Sequence, residues 1–103
     1  MLVNGKVILS NYKIFETDEF KKRFKKLELY DQQFLRIKLY KLIYPTLKQN
    51  PDFGINIKKL KGYNPDTWRC RVGKYRIFYS IDKDGETVFI LSVDNRKDAY
   101  KRR

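Results

Sequence analysis

The stretch TWRCRVGKYRIFYSID, residues 67–82, places Arg69, Arg71 and Arg76 in a run that otherwise reads as β-structure. Side chains alternate along a strand with a period of two. Arg69 and Arg71 therefore share one face of the first half, and Trp68, Cys70 and Val72 the other. In the second half Tyr75, Ile77, Tyr79 and Ile81 share a face, with Arg76 and Phe78 opposite. If the halves pair as a hairpin, three guanidinium groups gather on the side turned away from the core. Like charges on adjacent strands repel, so the cluster requires a bound anion, nearby carboxylates or solvent to balance it. Guanidinium forks match phosphate oxygens two at a time, which lysine cannot do. Lys58, Lys59, Lys61, Arg96, Lys97 and the terminal KRR extend the cationic set. Phe78 and Tyr100 are suited to stacking on unpaired bases, although Phe78 equally reads as a lid over a small secondary core. The chemistry indicated is phosphate binding, with single-stranded RNA as the first candidate.

The rest of the composition narrows the field. Twenty-four basic residues against twelve acidic ones give a net charge of +12 in 103 residues. Such a field attracts polyanions by releasing their counterions. Nucleic acid is the first partner class, an acidic protein segment the second and an anionic membrane surface the third. Histidine is absent, which removes the commonest metal ligand and the commonest base near neutral pH. With one cysteine, Cys70, neither a zinc site nor an internal disulfide is expected, and no cofactor-binding motif is present. The apolar runs are too short for a membrane span. MLVNGKVILSN does not read as a signal peptide, so a cytoplasmic protein is expected.

An apolar fraction of 42% and an aromatic fraction of 16% predict a folded chain, read as one domain. YKIFET, residues 12–17, alternates as a strand. Thr17 or Asp18 then caps a helix carrying Phe20, Phe24 and Leu27. ELYD reads as the turn into a second helix with Asp31 as its N-cap. That helix runs from Gln32 to Gln49 with Phe34, Ile37, Leu42, Ile43 and Leu47 on its apolar face. Pro45 should bend or shorten it, and NPDFG should end it. INIKKLKG is a linker or a short edge element. Three strands follow, turned at Gly73 and at KDGE. The expected fold class is α+β, an N-terminal strand and helical hairpin packed on one face of a mainly antiparallel sheet.

The segments IKKLKG, WRCRVGKYRIFYSID and VFILSVDNRKDAYKR together resemble the RelE/ParE superfamily of toxins from toxin–antitoxin pairs. The resemblance spans about residues 12–102, implies that residues 1–103 form one RelE-like toxin domain, and leaves residues 1–11 as an extension without a role. The RelE branch consists of ribosome-dependent endoribonucleases that cut mRNA in the A site. By that likeness Arg69 and Arg71 are basic residues of the first hairpin strand. Arg76 is the clamp on the scissile phosphate, Arg96 lies near the leaving group, and Tyr100 is the C-terminal tyrosine. The implied reaction is metal-independent attack of a ribose 2′-hydroxyl on its own 3′-phosphate. The implied partners are mRNA, the ribosome and a cognate antitoxin with an acidic or amphipathic segment, with no membrane.

Arg69 and Arg71 stand where some nucleases of the family carry lysine. Arginine, with a pKa above ~12, holds a phosphate but does not act as a base. The base would then be Tyr100 or a group of ribosomal RNA. Two other functions compete: a poison of DNA gyrase, as in the ParE branch, and a non-catalytic RNA- or ribosome-binding or inactive toxin.

Overall fold

A computed structural model describes residues 11–95 and, before them, the backbone of two short strands, Leu2–Val3 (β1) and Lys6–Val7 (β2). These two pair antiparallel with Leu2 opposite Val7. The main sheet begins at Lys13–Glu16 (β3). Helix α1, Asp18–Lys25, follows at once because Thr17 is extended and its Oγ1 accepts the Phe20 N–H at 3.2 Å. The same hydroxyl donates to the Ile90 carbonyl at 2.8 Å, fixing the helix start against the sheet. Asp18 and Glu19 in the first turn and Lys22, Arg23 and Lys25 in the last complement the helix dipole.

Helix α2 runs Leu29–Lys38, continues through a π-helical turn at Leu39–Ile43 and ends as α3, Tyr44–Gln49. Pro45 is the cause of the wide turn. It has no N–H to donate, and its ring crowds the carbonyl four residues back. The chain answers by pairing the Tyr44 N–H with the Leu39 carbonyl, five residues back.

Several helical expectations are corrected here. The interhelical turn is residues 26–28, so Leu29, Tyr30 and Asp31 lie inside α2. The N-cap is Glu28, without a side-chain bond, and Asp31 sits in the first turn. The buried face is Leu35, Leu39, Tyr44 and Leu47, whereas Phe34, Ile37 and Leu42 are exposed. Apolar residues surround this stretch on nearly every side, so no single period singles out the inner one, and the π turn shifts the phase midway.

Strand β4 is Ile57–Lys59, β5 Trp68–Val72, β6 Tyr75–Asp82 and β7 Thr87–Asn95. The sheet order is β3-β7-β6-β5-β4, antiparallel except for the parallel β3–β7 pair. Gly73 has φ +60° between Val72 and Tyr75, which pair directly, so the tight turn uses the left-handed conformation that glycine tolerates. At KDGE the left-handed residue is Glu86, at φ 47°. Gly85 donates its N–H to Asp82 Oδ1 at 3.1 Å in the same turn.

The helices bury Phe20, Phe24, Leu35, Leu39 and Leu47 against Ile77, Tyr79, Val88 and Ile90. The Tyr79 hydroxyl donates to the Pro51 carbonyl at 2.6 Å, tying the loop after α3 to this core. Among the described residues no helix is long and apolar enough to cross a membrane.

Asp31 has a different task from capping. It accepts the Tyr75 O–H at 2.5 Å and lies 3.4 Å from Lys74 Nζ. The tyrosine bond first, then Lys74, hold its carboxyl below the usual aspartate range against the opposing effect of burial. A carboxyl depressed on folding stabilises above its unfolded pKa, and that contribution is lost as pH falls through the folded value. Asp31→Asn should therefore lower the melting temperature fully at pH 7. The gap to wild type should close as pH drops below ~4, the unfolded aspartate value. Melts across that range provide the check.

Candidate nucleic-acid interface

The register of β4 to β7 determines which side chains stand together. Arg71 is opposite Arg76, and Arg76 is opposite Asp94, forming one row across β5, β6 and β7. The next row runs Lys58, Arg69, Phe78, Ser92 across four strands. Both rows lie on the face away from the helices, because Cys70, Val72, Tyr75, Ile77 and Tyr79 fill the core face. Arg71 and Lys58 are exposed, while Arg69, Arg76 and Phe78 are partly buried. The Arg76 Nε is itself sealed from solvent.

Asp94 reaches this face through a register shift. The β6–β7 pairing passes from Phe78 opposite Ser92 to Tyr79 opposite Ile90, leaving Leu91 as an extra residue in β7. Strict alternation from Ile90 would turn Asp94 inward. The bulge instead buries Val93 and sets Asp94 opposite Arg76. Arg23, arriving from α1, donates to Asp94 Oδ1 at 2.8 Å and to Glu19 Oε2 at 2.7 Å.

The two rows thus hold four cations, Lys58, Arg69, Arg71 and Arg76, with one carboxylate that Arg23 also engages. Arg71 facing Arg76 is a like-charge pair, unfavourable by a fraction of a kcal/mol, ~0.2–1. Strand pairing and the core behind it hold the pair in place. A phosphate laid across the row would reverse the sign of that interaction and accept bidentate bonds from both. Cys70 lies behind Arg69 in the core, where burial pushes its thiol up to about 11 although the Arg69 charge opposes the rise. A protonated, buried thiol is no nucleophile.

Residues 14–100 match the family described as ParE toxin of the type II toxin–antitoxin system parDE. The chain is 36% identical over 67 residues to a Methanocaldococcus jannaschii protein bearing the name toxin RelE1, covering 63% of this chain and 73% of that one. It belongs to the RelE/ParE toxins of type II toxin–antitoxin systems. The fold agrees. The RelBE2 toxin–antitoxin complex of Mycobacterium tuberculosis contains a chain matching at TM-score 0.67 and 26% identity, over 85% of this chain and 94% of that one. The RelB–RelE complex of Methanococcus jannaschii contains another at 0.60 and 25%, over 84% and 95%.

Within this RelE/ParE toxin the structure brings together Arg69, Arg71, Arg76, Phe78 and Lys58. Lys59, expected beside them, is on the opposite face. It pairs with Trp68, lies 5.9 Å from that ring's centroid and forms an ion pair with Asp66 at 3.1 Å. The physical reason is the pleat: neighbours on one strand point to opposite sides. Lys61 lies beyond β4, in the turn at Gly62. Arg96, Lys97 and Tyr100 lie outside the described residues. Sequence reasoning missed Asp94 and its partner Arg23. Their signal would have been a bulge in β7, which VFILSVD does not announce.

Proposed function

We propose that this toxin is an endoribonuclease that cuts mRNA in the ribosomal A site without a metal. The supporting observation is the double row of cations, Arg71 with Arg76 and Lys58 with Arg69, on the sheet face opposite the apolar core. In this reading Arg76 clamps the scissile phosphate, and Arg69 and Arg71 hold the developing phosphorane charge and the neighbouring phosphate. The ribose 2′-oxygen forms a bond to phosphorus while the bond to the 5′-oxygen breaks. The 2′-proton leaves to a base, and the 5′-oxygen gains a proton. The products are a 2′,3′-cyclic phosphate and a 5′-hydroxyl. Cations fixed where negative charge develops act most strongly in a site that needs no reorganisation. Because arginine is no base, Tyr100 or ribosomal RNA takes the proton, and Arg96 serves the leaving group.

A cognate antitoxin is part of the proposal, as the M. tuberculosis and M. jannaschii neighbours are toxin–antitoxin complexes. A net charge of +12 favours an antitoxin segment that is acidic or amphipathic. A second reading, the gyrase poison, draws on the ParE description of the matching family. One pair of assays separates the two. Purified toxin added to programmed ribosomes should produce A-site cuts with cyclic phosphate ends and leave gyrase supercoiling untouched. Intact message together with blocked supercoiling would reverse the assignment.

A further inference from the structure

Beyond the cationic rows the same face carries an aromatic corner that the phosphate chemistry does not use. Phe15 on β3 pairs in register with Phe89 on β7, and Phe89 is opposite Ser80 on β6. The two rings meet edge to face, with centroids 5.7 Å apart and planes at 65°. Phe89 props Phe15 from the side, and Phe15 remains 55% exposed. Phe15 thus has one aromatic neighbour along its edge and keeps more than half of its surface available to a second ring.

Position supplies the role. Ser80 is four residues along β6 from Arg76, about 13 Å at the rise of a strand, with Phe78 midway on the same face. Arginines, Phe78 and the Phe15–Phe89 corner therefore form one continuous track. Lys13, exposed two residues before Phe15, adds a cation at its far end. Cations and rings along a sheet face that no described helix covers form the surface that an unpaired nucleic acid strand fits, because phosphates meet the charges and base faces meet the rings.

We infer that Phe15, propped by Phe89, is a stacking subsite for a base of single-stranded RNA, a few nucleotides from the phosphate held at Arg76. The inference rests on the RNA reading above and adds a binding position to it. The charge of the face narrows the occupant: a second copy of this chain, itself strongly basic, would bring no compensating anion to Lys13 and the arginines, whereas the phosphates of RNA would.

The test is equilibrium binding of the whole toxin to a fluorescent 2′-O-methyl oligoribonucleotide, which cannot be cut because the attacking hydroxyl is blocked. A matching set has one base removed at each position in turn. Phe15→Ala should weaken binding about 5- to 150-fold, Phe15→Leu should weaken it similarly and Phe15→Trp should keep it. Removing one particular base should cost wild type the same factor and Phe15→Ala nothing further. The salt dependence should be unchanged in Phe15→Ala, whereas Arg69→Ala should lower its slope by about 0.7 for the lost phosphate contact. Equal binding by wild type and Phe15→Ala, or full rescue by leucine, would overturn the subsite while leaving the RNA reading intact. A wild-type dimer dissolved by Phe15→Ala would assign the ring to self-association instead. Wild type that cuts message on ribosomes without binding the oligonucleotide would overturn the subsite alone, and wild type that does neither would remove the RNA reading with it.

Discussion

Arg76→Ala should reduce message cleavage on programmed ribosomes by about 10²- to 10³-fold, the usual cost of removing one preorganised donor from a developing oxyanion. Arg76 stands between Arg71 and Asp94 in a single row, so it contributes both charge and a fork whose orientation its neighbours constrain. Arg76→Lys keeps the charge and loses the fork, so its activity should fall between the two. Stability should hardly move. Removing Arg76 relieves the repulsion from Arg71, and Asp94 keeps its 2.8 Å bond from Arg23, so the net change should stay within about 1 kcal/mol. Lys59→Ala is the matched control, since Lys59 is on the opposite face and bound to Asp66. Single-turnover cleavage with mapped RNA ends, alongside thermal melts, reads both quantities. An Arg76→Ala protein cutting within a few-fold of wild type would show that the row does not hold the scissile phosphate.

The cationic hairpin was legible because its signal is redundant. Alternation places Arg69, Arg71 and Arg76 on one side, and the apolar residues between them must face a core, so each half constrains the other. Lys58 and Lys59 lacked that redundancy. Two adjacent lysines on a three-residue edge strand give no alternation, and only the register with Arg69 and Trp68 separates them. Asp94 was hidden by the bulge, a feature of pairing geometry rather than of residue type. The pairing of residues 13–16 with 87–90 was hidden by distance along the chain, because no local pattern specifies a parallel neighbour more than seventy residues away. The α2–α3 stretch failed for the opposite reason. Too many of its residues are apolar for periodicity to choose among them, and the π turn before Pro45 moves the inner face partway along.

That parallel pairing also sets up the largest expected loss of stability. Glu16, at the end of β3, is paired with Ile90 and turned toward the helices. Its carboxylate accepts Arg36 Nη1 at 2.6 Å, Arg36 Nη2 at 3.3 Å and the Tyr44 hydroxyl at 2.6 Å. The Arg36 guanidinium carbon sits over Phe24, 4.3 Å from the ring centroid, so one guanidinium joins α1, α2 and the sheet. Burial and the neighbouring carboxylate push the Tyr44 hydroxyl well above the usual tyrosine range, so it remains a neutral donor. Glu16→Ala removes three bonds at once and leaves a partly buried cation and a buried tyrosine hydroxyl without their shared acceptor. The cost should be about 2–4 kcal/mol, or roughly 8–30 °C in melting temperature for a domain of this size. Glu19→Ala, which breaks the exposed pair with Arg23, should change the melt little. Urea unfolding of Glu16→Ala, Arg36→Met and the double variant gives the coupling. The double variant should be more stable than the sum of single losses predicts, because no orphaned charge remains. Strict additivity would mean that the three groups stabilise the protein separately and that the network does not join β3 to the helices.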